Sequence, residues 1–460
     1  MQRAFDIASL NVTIVGAARS GLAAARLLHR KGVSVFLTEL SPASKFEEAA
    51  RILREEQVPH EFGQHSARVF AADIVVVSPG IPSEAPVIVE AERRGVPVIS
   101  EIEVGTMFLD VPVIAVTGTN GKTTTTTLSG EICVAAGRRT LVAGNIGRAF
   151  TDAMREEEGE IDIAVLEISS FQLDTCVTFH PSTAVITTIT PDHLNRYHGD
   201  FQEYVASKQR IFMNQNAQDH LIYNYDDPVV SGAIKTACSE LFPVSSLQRL
   251  SKGGWRENGS LYIEAGYGKE LIARVDDLQV FGRHNYMNVL MAGLAARLEG
   301  IGADVIREAV MGFKGVEHRL EFVCEVDGVK WINDSKATNV DSVVIALQSY
   351  RQPVVLIAGG RDKGASFDPL FDLVSERVRA MILIGEAGDN MGRAFAPFTK
   401  VSKARDMMEA VNIARMAAQP GDIAMLSPAC ASFDMYENFE ARGRVFKECV
   451  HTFCREPMVA

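Results

Sequence analysis

Short apolar runs that do not alternate with polar residues recur along this chain, most of them closed by glycine, serine or aspartate and followed by a helix-like stretch. They include NVTIVG at 11, DIVVVSPG at 73, PVIAVTG at 112, DIAVLEISS at 162, TAVITTI at 183, PVVLIAGG at 353, AMILIG at 380 and DIAMLSP at 422. A strand wetted on one face alternates; a run of Val, Ile and Leu that does not alternate is buried on both. The pattern predicts an α/β fold of parallel sheets covered by helices, with ligands bound at the loops after the strands.

At roughly 150 residues per domain, a chain of 460 residues has room for about three. We place them at 1–101, 102–315 and 316–460. Within the middle block, 240–283 carries short alternating β segments separated by glycines and reads as an antiparallel elaboration. The balance of 46 basic and 58 acidic residues, a net charge of −12, excludes general binding to a nucleic-acid backbone but leaves room for a local basic pocket. Seven cysteines without CxxC or paired Cys/His spacing argue against a disulfide framework or a structural zinc site. The start, MQRAFDIASLNVTIVG, does not read as a signal peptide. Runs such as Ile74–Val77 are far shorter than the ~20 residues of a membrane span. The expectation is a cytoplasmic, monomeric chain with small-molecule partners, no nucleic acid and no membrane, and with ATP within reach.

The segment Val113–Thr124, VIAVTGTNGKTT, is the strongest single motif. A buried strand stops at a glycine-rich turn and a threonine-rich helix follows. Glycines let successive N–H groups turn towards phosphate oxygens, and the helix N-terminus adds partial positive charge. Gly118, Thr119, Asn120, Gly121, Lys122, Thr123 and Thr124 are therefore the candidate ATP cradle. Lys122 would reach the β/γ-phosphates and the Thr123 hydroxyl would ligate Mg2+. The segment departs from the longer GxxxxGK[ST] pattern, because Val116 stands at its first glycine.

Four further places invite chemistry. Gly16-Ala-Ala-Arg-Ser-Gly21 resembles GxGxxG with its middle glycine replaced by Ala18; it is either a diphosphate site or a tight packing turn. Glu167 ends the run DIAVLE, a position that suits a second Mg2+ contact. Asp192-His193 lies just beyond another strand end, where a histidine is either structural or catalytic. Finally, Asn333–Asn339, Gly359–Gly364 and Leu426–Asp434 are three polar turns after strands of the last block and suggest a second substrate pocket, with His318-Arg319 offering positive charge at its start. Lys208 by itself reads as an ordinary helix lysine.

GTNGKTT, LEISSFQLD, TPDHLNRY, ASKQRIF, GRHNYMN, EHRLE, NDSKATN, GGRDKG and LSPACASFDMYENFEARG stand in this order along nearly the whole chain. Together they resemble the Mur ligase family, ATP-dependent amide-forming enzymes of peptidoglycan precursor synthesis, and within it the D-glutamate-adding branch. The resemblance implies a Rossmann-like N-terminal domain for a UDP moiety, a central P-loop ATPase domain and a Rossmann-like C-terminal domain for the incoming amino acid. It assigns Arg19, Ser20, Thr38 and Glu39 to the UDP end, and Asn145, Ser169 and Gln172 to the muramoyl-alanine part. It also implies two Mg2+ sites, Glu167 on the first, and His193 with a carbamylated Lys208 on the second. Asn285 and Asn288 fall to the adenine, Asp334 to the ribose and Arg319 to the γ-phosphate. Thr338, Lys363, Ser432 and Phe439 would surround D-glutamate, with Lys336 at the reaction centre.

The implied reaction phosphorylates the carboxylate of UDP-N-acetylmuramoyl-L-alanine and lets the D-glutamate amine displace phosphate, with Lys122, His193, Lys208 and Lys336 as the catalytic set. The alternatives are another Mur-type or folylpolyglutamate synthase-like amide ligase, a non-catalytic nucleotide switch, and, from Gly16–Gly21 alone, a dinucleotide oxidoreductase.

Overall fold

The structure is a computed structural model that describes residues 7–156, 160–280, 282–361, 364 and 366–454. Its strands form three sheets. The first contains β1 (Asn11–Val15), β2 (Ser34–Glu39), β3 (His60–Phe62), β4 (Ile74–Val77) and β5 (Val98–Ser100). They run parallel in the order β3-β2-β1-β4-β5, the crossover at β1 and β4 putting a crevice at their carboxyl ends. The helix Arg19–Arg30 follows β1 and buries Ala24, Leu27 and Leu28. It stops at Gly32, whose φ of +78° supplies the left-handed turn that closes such helices.

The central sheet has nine strands: β6 (Val113–Thr117), β7 (Thr140–Gly144), β8 (Ile163–Glu167), β9 (Thr183–Ile186), β10 (His220–Asn224), β11 (Glu240–Ser245), β12 (Gly253–Glu257), β13 (Ser260–Glu264) and β14 (Glu270–Arg274). Their order is β14-β13-β12-β11-β10-β9-β6-β8-β7. Every residue of β6, β8 and β9 is buried, which is why these runs do not alternate. One expectation is corrected. Glu240–Ser245 is not part of the antiparallel elaboration but a parallel strand beside β10; only β12–β14 are antiparallel, and they continue the same sheet.

The third sheet holds β15 (Glu321–Val326), β16 (Val329–Asn333), β17 (Val354–Gly359), β18 (Val378–Ile384), β19 (Lys400–Lys403) and β20 (Ile423–Leu426), in the order β15-β16-β20-β17-β18-β19. All neighbours are parallel except β15 and β16, a hairpin closed by Asp327 (φ +54°) and Gly328 (φ +74°). This is the three-sheet α/β architecture expected. The chain divides into two compact units, Met1–Leu278 with Tyr286–Gly312, and Gln279–Asn285 with Phe313–Ala460. Cys324 is disulfide-bonded, a link that the cysteine spacing did not foretell. No helix among the described residues is long and apolar enough to cross a membrane.

Candidate active site

β6 delivers the glycine-rich turn, and the helix Lys122–Ala135 leaves it at once, with Gly121 as its left-handed N-cap (φ +90°). A Cβ on Gly118 would lie 2.0 Å from Thr187 Oγ1, and one on Gly121 2.6 Å from Asn288 Oδ1. Both positions therefore exclude a side chain. The turn is held by the segment after β9. Thr119 N–H donates to the Thr188 carbonyl at 2.7 Å, and Asn120 N–H to Thr188 Oγ1 at 3.0 Å. The Thr187 hydroxyl donates to the Asn120 carbonyl at 2.5 Å. Lys122 Nζ donates to the Gly118 and Thr119 carbonyls at 2.8 and 3.0 Å, folded back over its own turn. Thr123 and Thr124 are buried in the first helical turn.

Glu167 ends β8 and pairs in register with Val116 of β6, two residues before Gly118. Its side chain accepts from Asn145 Nδ2 at 2.8 Å, while Asn145 N–H donates to the Glu167 carbonyl at 2.8 Å. The loop after β7 is thus tied to this carboxylate. Thr123 and Glu167, 3% and 2% exposed, offer a hydroxyl and a carboxylate oxygen, the hard donors that Mg2+ takes. The donor set fits that ion.

Lys208, on the helix Phe201–Gln209, is almost wholly buried. Its Nζ donates to the Gly118 carbonyl at 2.9 Å and lies 4.5 Å from the centre of the Tyr204 ring. Burial first, then the charge of Lys122, pushes its amine well below the ordinary lysine range, against the opposing pull of Asp192, Asp174 and Glu167. His193 sits in a left-handed conformation (φ +54°) with its ring edge-on to Phe171 at 5.0 Å. Ser169 and Gln172 form a capping box: Gln172 N–H donates to Ser169 Oγ at 3.3 Å, and Ser169 N–H to Gln172 Oε1 at 2.9 Å.

At the first sheet, a Cβ on Gly21 would lie 2.0 Å from the Gly16 carbonyl, so the second glycine is demanded by packing. Glu39 supports the turn from the next strand, accepting from Ala17 N–H at 3.0 Å and Ser41 N–H at 2.8 Å. Thr38 is fully buried; its hydroxyl bonds within the fold to Glu61, the Gln64 carbonyl and His65. Arg19 and Ser20 open the following helix, and Arg19 Nη1 donates to the Gly147 carbonyl at 2.8 Å.

In the second unit, Asp334 directly follows β16 and is held by Ser427 Oγ at 2.7 Å and Leu320 N–H at 3.2 Å. Burial pushes its carboxyl up to about 7 against the charge of Arg319. Arg319 lies between His318 and Leu320, both left-handed at φ +65° and +46°. Burial, with the charge of Arg319, pushes the His284 imidazole down to about 4. Lys336 Nζ stands 5.4 Å from the centre of the Phe439 ring, and Thr338 N–H donates to the Lys336 carbonyl at 2.9 Å. Ser432 is buried just after β20. Asn285 is buried at the start of the helix Arg283–Leu298; Asn288, three residues on and part of the first unit, is buried too, and its Oδ1 accepts from the Thr125 hydroxyl at 3.3 Å. Lys363 lies outside the described residues.

Sequence reasoning missed Thr187 and Thr188, which hold the turn Gly118–Lys122, and Tyr204, whose hydroxyl lies 3.0 Å from Thr119 Oγ1; for the threonines the run of hydroxyls closing TAVITT was the available signal. Among the described residues one cluster has metal-like spacing, Glu317, His318 and Glu321. The Lys447 ammonium bonds both carboxylates, and Asn333 Nδ2 meets His318 Nδ1 at 2.9 Å, which accounts for the cluster as an ion-pair network.

The N-terminal sheet matches the Mur ligase MurD-like N-terminal domain over residues 10–100, the central sheet the Mur ligase middle domain over 116–296, and the third the Mur ligase glutamate ligase domain over 318–430. The UDP-N-acetylmuramoylalanine–D-glutamate ligase of Salinibacter ruber is 45% identical over 460 residues, covering 97% of this chain and 99% of that protein. The enzyme of the same name from Chloroherpeton thalassium is also 45% identical, covering 97% and 98%. Among solved structures, a pseudomurein peptide ligase type C from Methanothermus fervidus superposes with a TM-score of 0.60 at 19% identity, over 96% of this chain and all of that one. With three domain models matched in order and an identity of this size along nearly its full length, the chain belongs to the Mur ligase family.

Proposed function

We propose that this chain joins D-glutamate to UDP-N-acetylmuramoyl-L-alanine in the cytoplasm, with ATP as phosphoryl donor, in the synthesis of peptidoglycan precursors. The observation that carries the reading is the turn Gly118–Lys122, whose glycines exclude a Cβ and whose neighbouring strand ends in Glu167. A free carboxylate does not acylate an amine, because oxide is a hopeless leaving group. Transfer of the γ-phosphoryl group to the alanine carboxylate gives an acyl phosphate. The amine of D-glutamate adds to that carbonyl, loses a proton, and phosphate leaves.

Two anions must meet in the first step, so cations govern it. Lys122 and Arg319 offset their repulsion. Magnesium, when bound, would supply further positive charge against the phosphates. Thr123 and Glu167 would hold one ion, and His193 with carbamylated Lys208 a second. An ordinary lysine of pKa ~10.4 is neutral at pH 7 about once in 2,500, a cost of roughly 4.6 kcal/mol. The burial of Lys208 reduces that cost. Its neutral Nζ would attack carbon dioxide, form an N–C bond and release a proton, which turns an amine into a carboxylate-like oxygen donor.

The other roles follow the motifs. The turn Gly16–Gly21 with Arg19, Ser20, Thr38 and Glu39 serves the UDP end, where Glu39 and Thr38 act by fixing the turn and the strand beside it. Asn145, Ser169 and Gln172 serve the muramoyl-alanine part, Asn285 and Asn288 the adenine and Asp334 the ribose. Thr338, Lys363, Ser432 and Phe439 hold D-glutamate, and Lys336 works at the reaction centre. Domains at 1–101, 102–315 and 316–460 divide these tasks, in a chain that works as a monomer.

The test is phosphate release by the pure protein with ATP, Mg2+, UDP-N-acetylmuramoyl-L-alanine and either glutamate enantiomer, with mass detection of the product. D-Glutamate should be joined with one phosphate released per product. Failure to join it, or preference for a folate-type acceptor in a panel, overturns the reading.

A further inference from the structure

Arg442 stands in the first turns of the helix Phe439–Cys454 and is completely buried. Its Nε donates to Ser335 Oγ at 3.0 Å, and Nη2 to the Ser335 carbonyl at 2.9 Å. Its Nη1 donates to the Cys430 and Ala431 carbonyls at 3.2 and 3.4 Å. All four acceptors are neutral oxygens. Burial brings its guanidinium down only to about 10, so it remains a cation at neutral pH.

The Asp434 carboxylate opposes the effect of burial on this charge, yet for stability alone a buried cation whose hydrogen bonds all go to neutral oxygens is a poor choice, since a well-packed apolar side chain of similar volume often does as well or better. What the guanidinium adds is direction: a rigid fork of donors that orients several acceptors at once. The acceptors belong to the turns that carry the amino-acid candidates. Ser335 precedes Lys336 and Thr338 in the turn after β16, and Ala431 directly precedes Ser432 in the turn after β20. The third segment is the helix of Arg442 itself, which starts at Phe439, and the Phe439 carbonyl accepts from the Ser335 hydroxyl at 2.8 Å. The surroundings are cut to this arrangement. Ala429 is left-handed at φ +61°, an uncommon state for a residue with a Cβ. A Cβ on Gly360 would lie 2.2 Å from the Ala431 carbonyl and 3.1 Å from Arg442 Nη1.

We propose that Arg442 is a positioning residue for the incoming amino acid, locking the turns of Lys336, Thr338 and Ser432 and the start of the Phe439 helix into one pocket wall. The proposal rests on the D-glutamate reading above. It requires no contact between Arg442 and the amino acid, only that the turns lose their mutual register without it.

The experiment compares the full-length wild type with Arg442→Met and Arg442→Lys by steady-state kinetics, thermal unfolding and amide hydrogen exchange. In Arg442→Met the KM for D-glutamate should rise about tenfold or more while the KM for ATP stays within about twofold. Arg442→Lys should recover part of that loss. Exchange should quicken in 335–338 and 429–432 and not across the rest of the unit. An unchanged D-glutamate KM in folded Arg442→Met overturns the proposal. So does a loss in which both KM values, kcat and exchange throughout the unit change together. Should Arg442→Met fail to fold, the same comparisons on Arg442→Lys decide. If the wild type itself joins no D-glutamate, the functional reading falls, and the exchange measurement still tests whether Arg442 locks the turns.

Discussion

Lys208 and Lys122 donate to one oxygen, the Gly118 carbonyl, at 2.9 and 2.8 Å. Two ammonium groups so placed repel, and the buried one gives up its charge first. On the function proposed above, Lys208 is the amine that captures carbon dioxide. Lys208→Ala should lower kcat by about 10²–10³, the scale of losing one charge-stabilising group. Short-chain carboxylates such as formate should restore part of it. Full activity of Lys208→Ala in bicarbonate-free buffer would dismiss the carbamate.

Gly121 combines a φ of +90° with a Cβ position 2.6 Å from Asn288 Oδ1. Gly121→Ala should therefore cost about 1–3 kcal/mol of stability and raise the KM for ATP by roughly tenfold. Calorimetry and ATP titration check both. A variant with the wild-type KM would show that the turn tolerates a side chain and does not hold phosphate as argued.

Asp334 couples stability to pH. Its carboxyl titrates near 7 in the folded chain because it is buried, and at its ordinary 3.8 in the unfolded one. Between those values the folded state binds more protons, so stability falls as pH rises from about 4 to 7, by up to about 4 kcal/mol. Asp334→Asn should flatten this dependence in urea unfolding of the ligand-free protein. An identical pH profile for both would place the carboxyl elsewhere in its titration.

Glu103, buried at the entry to the central sheet, accepts from the N–H groups of Val177, Thr178 and Phe179 at 3.0, 2.6 and 3.1 Å. A glutamine would turn a donor towards groups that are already donors. Glu103→Gln should destabilise by about 2–4 kcal/mol, the cost of buried N–H groups left without acceptors. Chemical denaturation measures it, and a loss below about 0.5 kcal/mol would mean that water or another acceptor replaces the carboxylate.

What could be read from the residues follows how local each signal is. The strands of the sheet centres were legible because burial on both faces leaves an unbroken apolar run, and the tight turn after β6 because glycines separate that run from the helix that follows. Glu240–Ser245 departs from the expectation because its residues 241–244 alternate between partly exposed and buried, as an antiparallel strand would, although the strand lies inside the sheet between β10 and β12. The Asp327-Gly328 hairpin had its signal in plain view, a two-residue turn between apolar runs. Arg442, Glu103 and Thr187 were not legible in the same sense. Their partners lie 107, 75 and 67 residues away along the chain, and nothing in a linear pattern says which distant carbonyl or N–H will meet them.

The threonines after β9 brace the turn Gly118–Lys122, the proposed nucleotide cradle, with bonds that need no ligand. A cradle already closed before its cargo arrives has little ordering left to do on capture, so the entropy usually spent in shaping a loop is saved for the chemistry that follows. Nucleotide should consequently dock in a single fast phase, and the slow motions of turnover should belong to the handling of the UDP-linked acceptor and the amino acid.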